Sequence, residues 1–174
     1  MKYLLKAIST NTRDMKTAIL YSISDKHYLF NCPDCFQRGA SSQKMKFKSV
    51  KTVFLPSMRP DHFMGFPGFY MSARESNADQ QQLDSFSMAV VGPPNMPEVL
   101  SHSGSFMGDL SKTVQLNIWP KKDEIHPNSA FKYAPEFNSP AFIDANIKVL
   151  PMIAQDPETL STNNIVYSYF VEPH

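Results

Sequence analysis

The residues best suited to chemistry lie in one stretch, Ser57-Met58-Arg59-Pro60-Asp61-His62. A carboxylate beside an imidazole can begin a metal site, because both donate to a borderline cation such as zinc. A zinc site needs three or four ligands, and no Cys/His cluster downstream supplies the rest. His102 and His126 stand far along the chain with no ligand-spaced partner. The plainer reading is that Asp61 caps the following helix and His62 hydrogen-bonds locally. A second constellation is Cys32-Pro33-Asp34-Cys35, a lone C-x-x-C with helical potential after it. A helix there lowers the first thiol's pKa and permits redox chemistry, although the βαβ setting of such motifs is absent. A third is Lys44, Lys46 and Lys48, alternating with Met45 and Phe47 and followed by Lys51. In an extended segment the three share a face, either as a solvated strand edge or approach to the sheet, where Lys blocks unwanted pairing, or as a contact for RNA phosphates. No G-x-x-x-x-G-K-[S/T] loop and no nucleophile elbow is present.

Stepping outward, short β-branched or aromatic runs predict strands at Tyr3–Ile8, Thr17–Ile23 and His27–Asn31, with a turn at Ser24-Asp25-Lys26. Cys35–Gln43 has helical potential, and Val50–Leu55 reads as a buried strand stopped by Pro56. His62–Ser72 fits one helix with Pro67 at a kink or near its start. Its Phe63, Phe66, Phe69 and Tyr70 share a face, which is either core or a docking face for another chain. The ten Met suit irregular contacts of either kind. Asn77–Ser85 reads as a surface loop, and Ser87–Val91 as a strand closed by Gly92-Pro93-Pro94. A helix to Ser101 follows, then strands at Thr113–Trp119, Ile147–Ile153 and Ile165–Val171, with an irregular stretch over Pro120–Pro140. The order predicts a mixed α+β chain, a sheet covered by helices on one face.

The 174 residues make about one domain at ~150 residues each. The chain has 42% hydrophobic residues and 12% aromatics, enough for a core, and its 14 Pro against 6 Gly point to a loop-rich fold. Lys plus Arg total 17 and Asp plus Glu 16, so the +1 balance excludes a strong electrostatic case for nucleic acid at the level of composition. No apolar run approaches the ~20 residues of a membrane span. The first residues make a poor signal-peptide core because Lys6 interrupts them. Two Cys make no disulfide framework, and an intracellular setting is expected.

The succession of motifs says more than any one of them. Tyr28-Leu-Phe-Asn-Cys-Pro-Asp-Cys-Phe-Gln-Arg38 is followed by Lys44-Met-Lys-Phe-Lys48 and by Val53-Phe-Leu-Pro-Ser-Met-Arg-Pro-Asp-His-Phe-Met-Gly-Phe-Pro-Gly68. Val90-Val-Gly-Pro-Pro94 comes next. Ser9-Thr-Asn-Thr-Arg-Asp14 fits a turn after the first strand, and Asn164-Ile-Val-Tyr-Ser-Tyr169 fits a late strand. This order resembles the amino-terminal, degenerate metallo-β-lactamase half of long-form tRNase Z, which trims the 3′ trailer of precursor tRNA.

The resemblance implies an α/β-sandwich type of α+β fold: a partial metallo-β-lactamase fold over residues 1–174, with a mostly antiparallel mixed sheet and helices on one face. The active half of that family carries His-x-His-x-Asp-His, which binds two zinc ions that activate a water. The matching positions here are Ser57, Arg59, Asp61 and His62. Two imidazoles are missing, and Arg59 puts a fixed positive charge where a cation would sit. The resemblance therefore implies a non-catalytic copy with no zinc cofactor. The family's basic, Gly-rich tRNA-gripping arm has no match, and the inner sheet face needs either a reduced second sheet or a partner over it. An obligate protein partner follows as an expectation, either within a larger assembly or as a separate catalytic half. The family works in the nucleus and mitochondria, and the mitochondrion is the compartment expected here.

Overall fold

The structure is a computed structural model and describes residues 3–10, 15–76, 86–93, 96–108, 114–118, 142–154 and 166–173. Six strands form one sheet in chain order: β1 (Tyr3–Ser9), β2 (Ala18–Ile23), β3 (Lys26–Phe30), β4 (Val50–Phe54), β5 (Met88–Gly92) and β6 (Val114–Ile118). β1–β2 and β2–β3 are antiparallel; β3–β4, β4–β5 and β5–β6 are parallel. The hairpin between β2 and β3 turns at Ser24, whose φ of 55° supplies the left-handed residue a tight turn needs. The parallel crossovers carry α1 (Phe36–Ser42), a 3₁₀ turn (Phe47–Ser49), α2 (Pro60–Phe63), α3 (Phe66–Glu75) and α4 (Met96–Met107). β7 (Phe142–Ile143), β8 (Ile147–Ala154) and β9 (Val166–Pro173) form a second, antiparallel sheet. The fold is α+β, as expected; among the described residues the six-stranded mixed sheet has three parallel and two antiparallel pairings, and the antiparallel pairings of the second sheet are separate from it.

Alternation along the strands divides the core in two. Leu29, Val53 and Val90 lie in register across β3–β4–β5 and face the helices. Their neighbours Phe30, Phe54 and Val91 are also in register and face the other way, with Tyr28, toward Ile147 and Val149 of β8. Phe30 and Phe54 stack with ring centroids 4.6 Å apart. The second sheet thus covers the inner face over β3, β4 and β5, in line with the first of the two arrangements the sequence allows, while Leu5 of β1 on the same face stays exposed.

Asp144, in the turn before β8, clasps the two sheets. Its Oδ2 accepts the Tyr28 hydroxyl at 2.6 Å and the Lys26 ammonium at 3.4 Å. Its Oδ1 accepts the backbone N–H of Asn146 at 2.8 Å and of Ile147 at 3.0 Å.

The single helix expected over His62–Ser72 is two helices. α2 ends at Phe63, and α3 starts at Phe66 with Pro67 in its first turn, where the missing N–H costs nothing. Between them Gly65 lies so close to the Cys32–Pro33 segment that a Cβ there would sit 1.9 Å from the Pro33 carbonyl oxygen. α4 runs beyond Ser101 to Met107, and β7 is a strand the sequence did not announce. The loops expected over 77–85 and 120–140 lie outside the described residues. No helix among the described residues is long and apolar enough to cross a membrane.

Candidate functional site

Open parallel sheets hold ligands beyond the carboxyl ends of their strands. Here β3, β4 and β5 end side by side, and backbone bonds carry the ladder one step further: Asn31 N–H to Phe54 O at 2.8 Å and Leu55 N–H to Val91 O at 2.8 Å. Asn31 then turns the chain with a left-handed φ of 70°, a conformation Asn tolerates better than most residues. Its side chain secures the bend, with Nδ2 donating to Thr17 O at 2.6 Å and Oδ1 accepting Cys32 N–H at 3.0 Å. Cys32 in turn straps down the α2 segment: its N–H donates to His62 O at 3.2 Å, and its carbonyl accepts Gly65 N–H at 3.1 Å.

On this platform sit the four motif residues. Ser57 is buried, and its hydroxyl lies 2.7 Å from His62 Nδ1, to which it donates when that nitrogen is unprotonated. Arg59 grips Asp61 at both carboxylate oxygens, Nε to Oδ1 at 3.2 Å and Nη2 to Oδ2 at 3.3 Å. The expected helix cap is therefore not made: Arg59 occupies the N-cap of α2, no side chain caps it, and Asp61 belongs to the first turn with its carboxylate turned to the guanidinium. His62 does bond locally, to Ser57.

Burial lowers the His62 pKa from its ordinary value; Asp61 opposes the shift, while Arg59 and Lys16 add to it. The shift favours the neutral imidazole. A depressed folded pKa means stability that is fully present above the unfolded value of ~6.5 and is lost as pH falls toward the folded one. In an NMR titration the His62 ring should titrate below 6.5, with unfolding midpoints dropping as pH passes from 7.5 to 5.5. A ring titrating at or above 6.5 contradicts the geometry.

These residues do not fit a zinc ion. Two of four positions carry no metal-binding imidazole, the carboxylate is already neutralised by a guanidinium, and Nδ1 of the one imidazole faces a hydroxyl. Among the described residues no three His, Cys, Asp or Glu are grouped to hold a metal. His102 lies exposed on α4, its Nδ1 2.7 Å from Glu98 O; His126 lies outside the described residues.

The other sequence candidates separate. Cys32 is fully buried, and burial pushes its thiol well above the ordinary range, the reverse of an activated first thiol. Cys35, not Cys32, is the N-cap of α1. Phe63, Phe66, Phe69 and Tyr70 are all buried among the helices, so they are core and present no docking face. Lys44, Lys46 and Lys48 are exposed, while Met45 and Phe47 between them pack on the core. Their segment is the approach to β4 rather than a strand edge: Lys44 has a φ of 55°, and the 3₁₀ turn at Phe47–Ser49 leads into the strand. Reading the sequence missed the Ser57–His62 pairing and the roles of Asn31 and Gly65. An Asn directly after a strand was the available signal for the bend.

Comparison with known proteins agrees with this platform. The family described as tRNase Z endonuclease matches residues 6–63. Ribonuclease Z of Streptococcus equi subsp. equi is 28% identical over 76 residues, which is 44% of this chain and 23% of that protein. The chain therefore spans less than a quarter of that relative. Human tRNase Z, short form, superposes with a TM-score of 0.67 at 14% identity, covering 97% of this chain and 63% of the human one. The metallo-β-lactamase fold protein YhfI of Bacillus subtilis superposes with a TM-score of 0.59 at 10% identity, covering 97% and 56%. The chain thus has a metallo-β-lactamase fold and, over residues 6–63, resembles the tRNase Z endonuclease family.

Proposed function

We propose that this chain is a non-catalytic tRNase Z-like domain, a structural or accessory subunit bound to a protein partner in a larger assembly. The observation that carries this reading is the state of the four motif residues. A hydrolytic zinc centre needs free imidazoles and carboxylates converging on one point. Here Arg59 and Asp61 satisfy each other, and Ser57 and His62 do the same. The loop that would be cross-linked by metal is cross-linked by hydrogen bonds instead.

A second reading is favoured by the similarity to ribonuclease Z: the chain is the non-catalytic half of a 3′ tRNA-processing endoribonuclease and works with a separate zinc-dependent half. Both readings place it within the cell, with the mitochondrion the compartment we propose. Affinity purification from native cells, with fractionation, separates the two. Unrelated proteins in a stable complex support the first reading, and a partner carrying His-x-His-x-Asp-His supports the second. Cleavage of precursor tRNA by the purified chain with zinc added overturns both.

A further inference from the structure

The first strand is an edge of the six-stranded sheet. β1 pairs with β2 on one side and, among the described residues, with no strand on the other. Such an edge presents backbone donors and acceptors that template pairing with another chain, unless charge, proline or a bulge blunts it. Here the blunting is weak. The bulge lies at Ala7/Ser9, near the far end of the strand, and Tyr3–Ser9 contains no proline. Its one charge, Lys6, is drawn aside, with Nζ donating to Gln43 O at 3.2 Å. Both faces of the edge are apolar. Leu5 stands on the inner face opposite Tyr21 and is 68% exposed; Leu4 stands on the helix side opposite Ser22 and is 53% exposed. Leu5, Ile19, Tyr21, Phe30 and Val171 line an open apolar groove of about 270 Å³ beside this edge.

We propose that β1 pairs antiparallel with β1 of a second copy of this chain, across a two-fold axis at Leu5, joining two six-stranded sheets into one. A two-fold normal to the sheet keeps like faces together, so opposed residues must both be odd-numbered or both even-numbered. An axis at Lys6 would set two ammonium groups against each other. An axis at Leu4 would pair only Tyr3–Leu5 of the strand. The axis at Leu5 pairs Tyr3–Ala7, with Lys6 against the partner's Leu4 and Leu5 against the partner's Leu5. It also brings apolar surface to the mouth of each groove. An acidic strand from another protein finds no charge complement here, because the one cation of the edge is committed to Gln43. Two leucines, the strand backbone and the groove mouth remove roughly 400 Å² per copy, at the weak end of specific interfaces, so the dimer is reversible.

The test is sedimentation velocity of the full chain from about 5 to 200 µM, which should show a monomer–dimer equilibrium. Leu5→Lys puts a charge on the inner side of the edge and should weaken dimerisation about tenfold or more. Phe106→Lys, at an exposed apolar residue of α4, should leave it unchanged. Melts of both variants read whether the fold survives. Hydrogen exchange of the parent gives a measurement free of any variant: alternate amides of Tyr3–Ala7 should exchange more slowly as concentration rises. A monomer at every concentration overturns the proposal. Slow β1 amides in that monomer would mean that another part of the chain covers the edge, and fast ones that it is open to a different protein. A dimer broken by Phe106→Lys but not by Leu5→Lys overturns it as well.

Discussion

Gly65→Ala should lower stability by about 3 kcal/mol, or ~6–12 °C in Tm for a chain of this size. Its backbone gives no warning of this. Gly65 has φ −75° and ψ −18°, ordinary right-handed helical values that Ala adopts with ease. Its place as the N-cap of α3 favours Gly over Ala only modestly. Space decides otherwise. A Cβ would lie 1.9 Å from Pro33 O and 2.9 Å from the Cβ of Phe36. The oxygen cannot retreat, because its segment is held by the Cys32–His62 and Gly65–Cys32 backbone bonds and by Phe36 N–H, which donates to Pro33 O itself at 3.2 Å. Gly104 in α4 is the matched control: nothing lies within 4 Å of its Cβ position, so Ala there should be neutral or stabilising by up to ~1 kcal/mol. Thermal melts of the two variants should move in opposite directions. A Gly65→Ala protein melting at or above the parent would show that the α2–α3 junction does not press on the Cys32 strap.

Asp144→Ala should cost about 2 kcal/mol at pH 7, chiefly because the Tyr28 hydroxyl and two backbone N–H groups lose their acceptor. Burial raises the Asp144 pKa, but the hydrogen bonds from Tyr28, Asn146 and Ile147, with the charge of Lys26, outweigh it and leave the carboxyl below its usual range. A depressed folded pKa gives stability that is present above the unfolded value of ~3.9 and is lost as pH falls through the folded value. The gap between parent and Asp144→Ala should therefore be full at pH 7 and shrink below about pH 4. Melts of both proteins at pH 7, 5 and 3 measure this. Equal melting at pH 7, or a gap unchanged at pH 3, would remove Asp144 as the clasp. The consequence is architectural, since Asp144 joins the second sheet to Tyr28 on the inner face of the first.

Much of the fold was legible because its signals are local. The runs at Tyr3–Ser9, Ala18–Ile23 and Val50–Phe54 are strands, and the Ser24 turn lies where Ser, Asp and Lys interrupt the apolar pattern. The helix over 62–72 misled because its apolar spacing continues across Gly65. Periodicity cannot report that another backbone passes within touching distance. Asp61 misled because an acidic residue early in a helix predicts a cap, whereas Arg59 is the N-cap and its guanidinium takes the carboxylate.

What the sequence determined by itself was the likeness to tRNase Z and the presence of Ser57 and Arg59 rather than imidazoles in the stretch that ends in Asp61-His62, both written in residue identity and spacing. Tertiary structure decided that four aromatic rings are core, that Asp144 clasps Tyr28, and that β8 packs on the inner face of β3, β4 and β5. The reason is physical. Identity and spacing are properties of neighbours along the chain, whereas pairing, burial and close approach join residues up to 118 positions apart, as Asn146 and Tyr28 are.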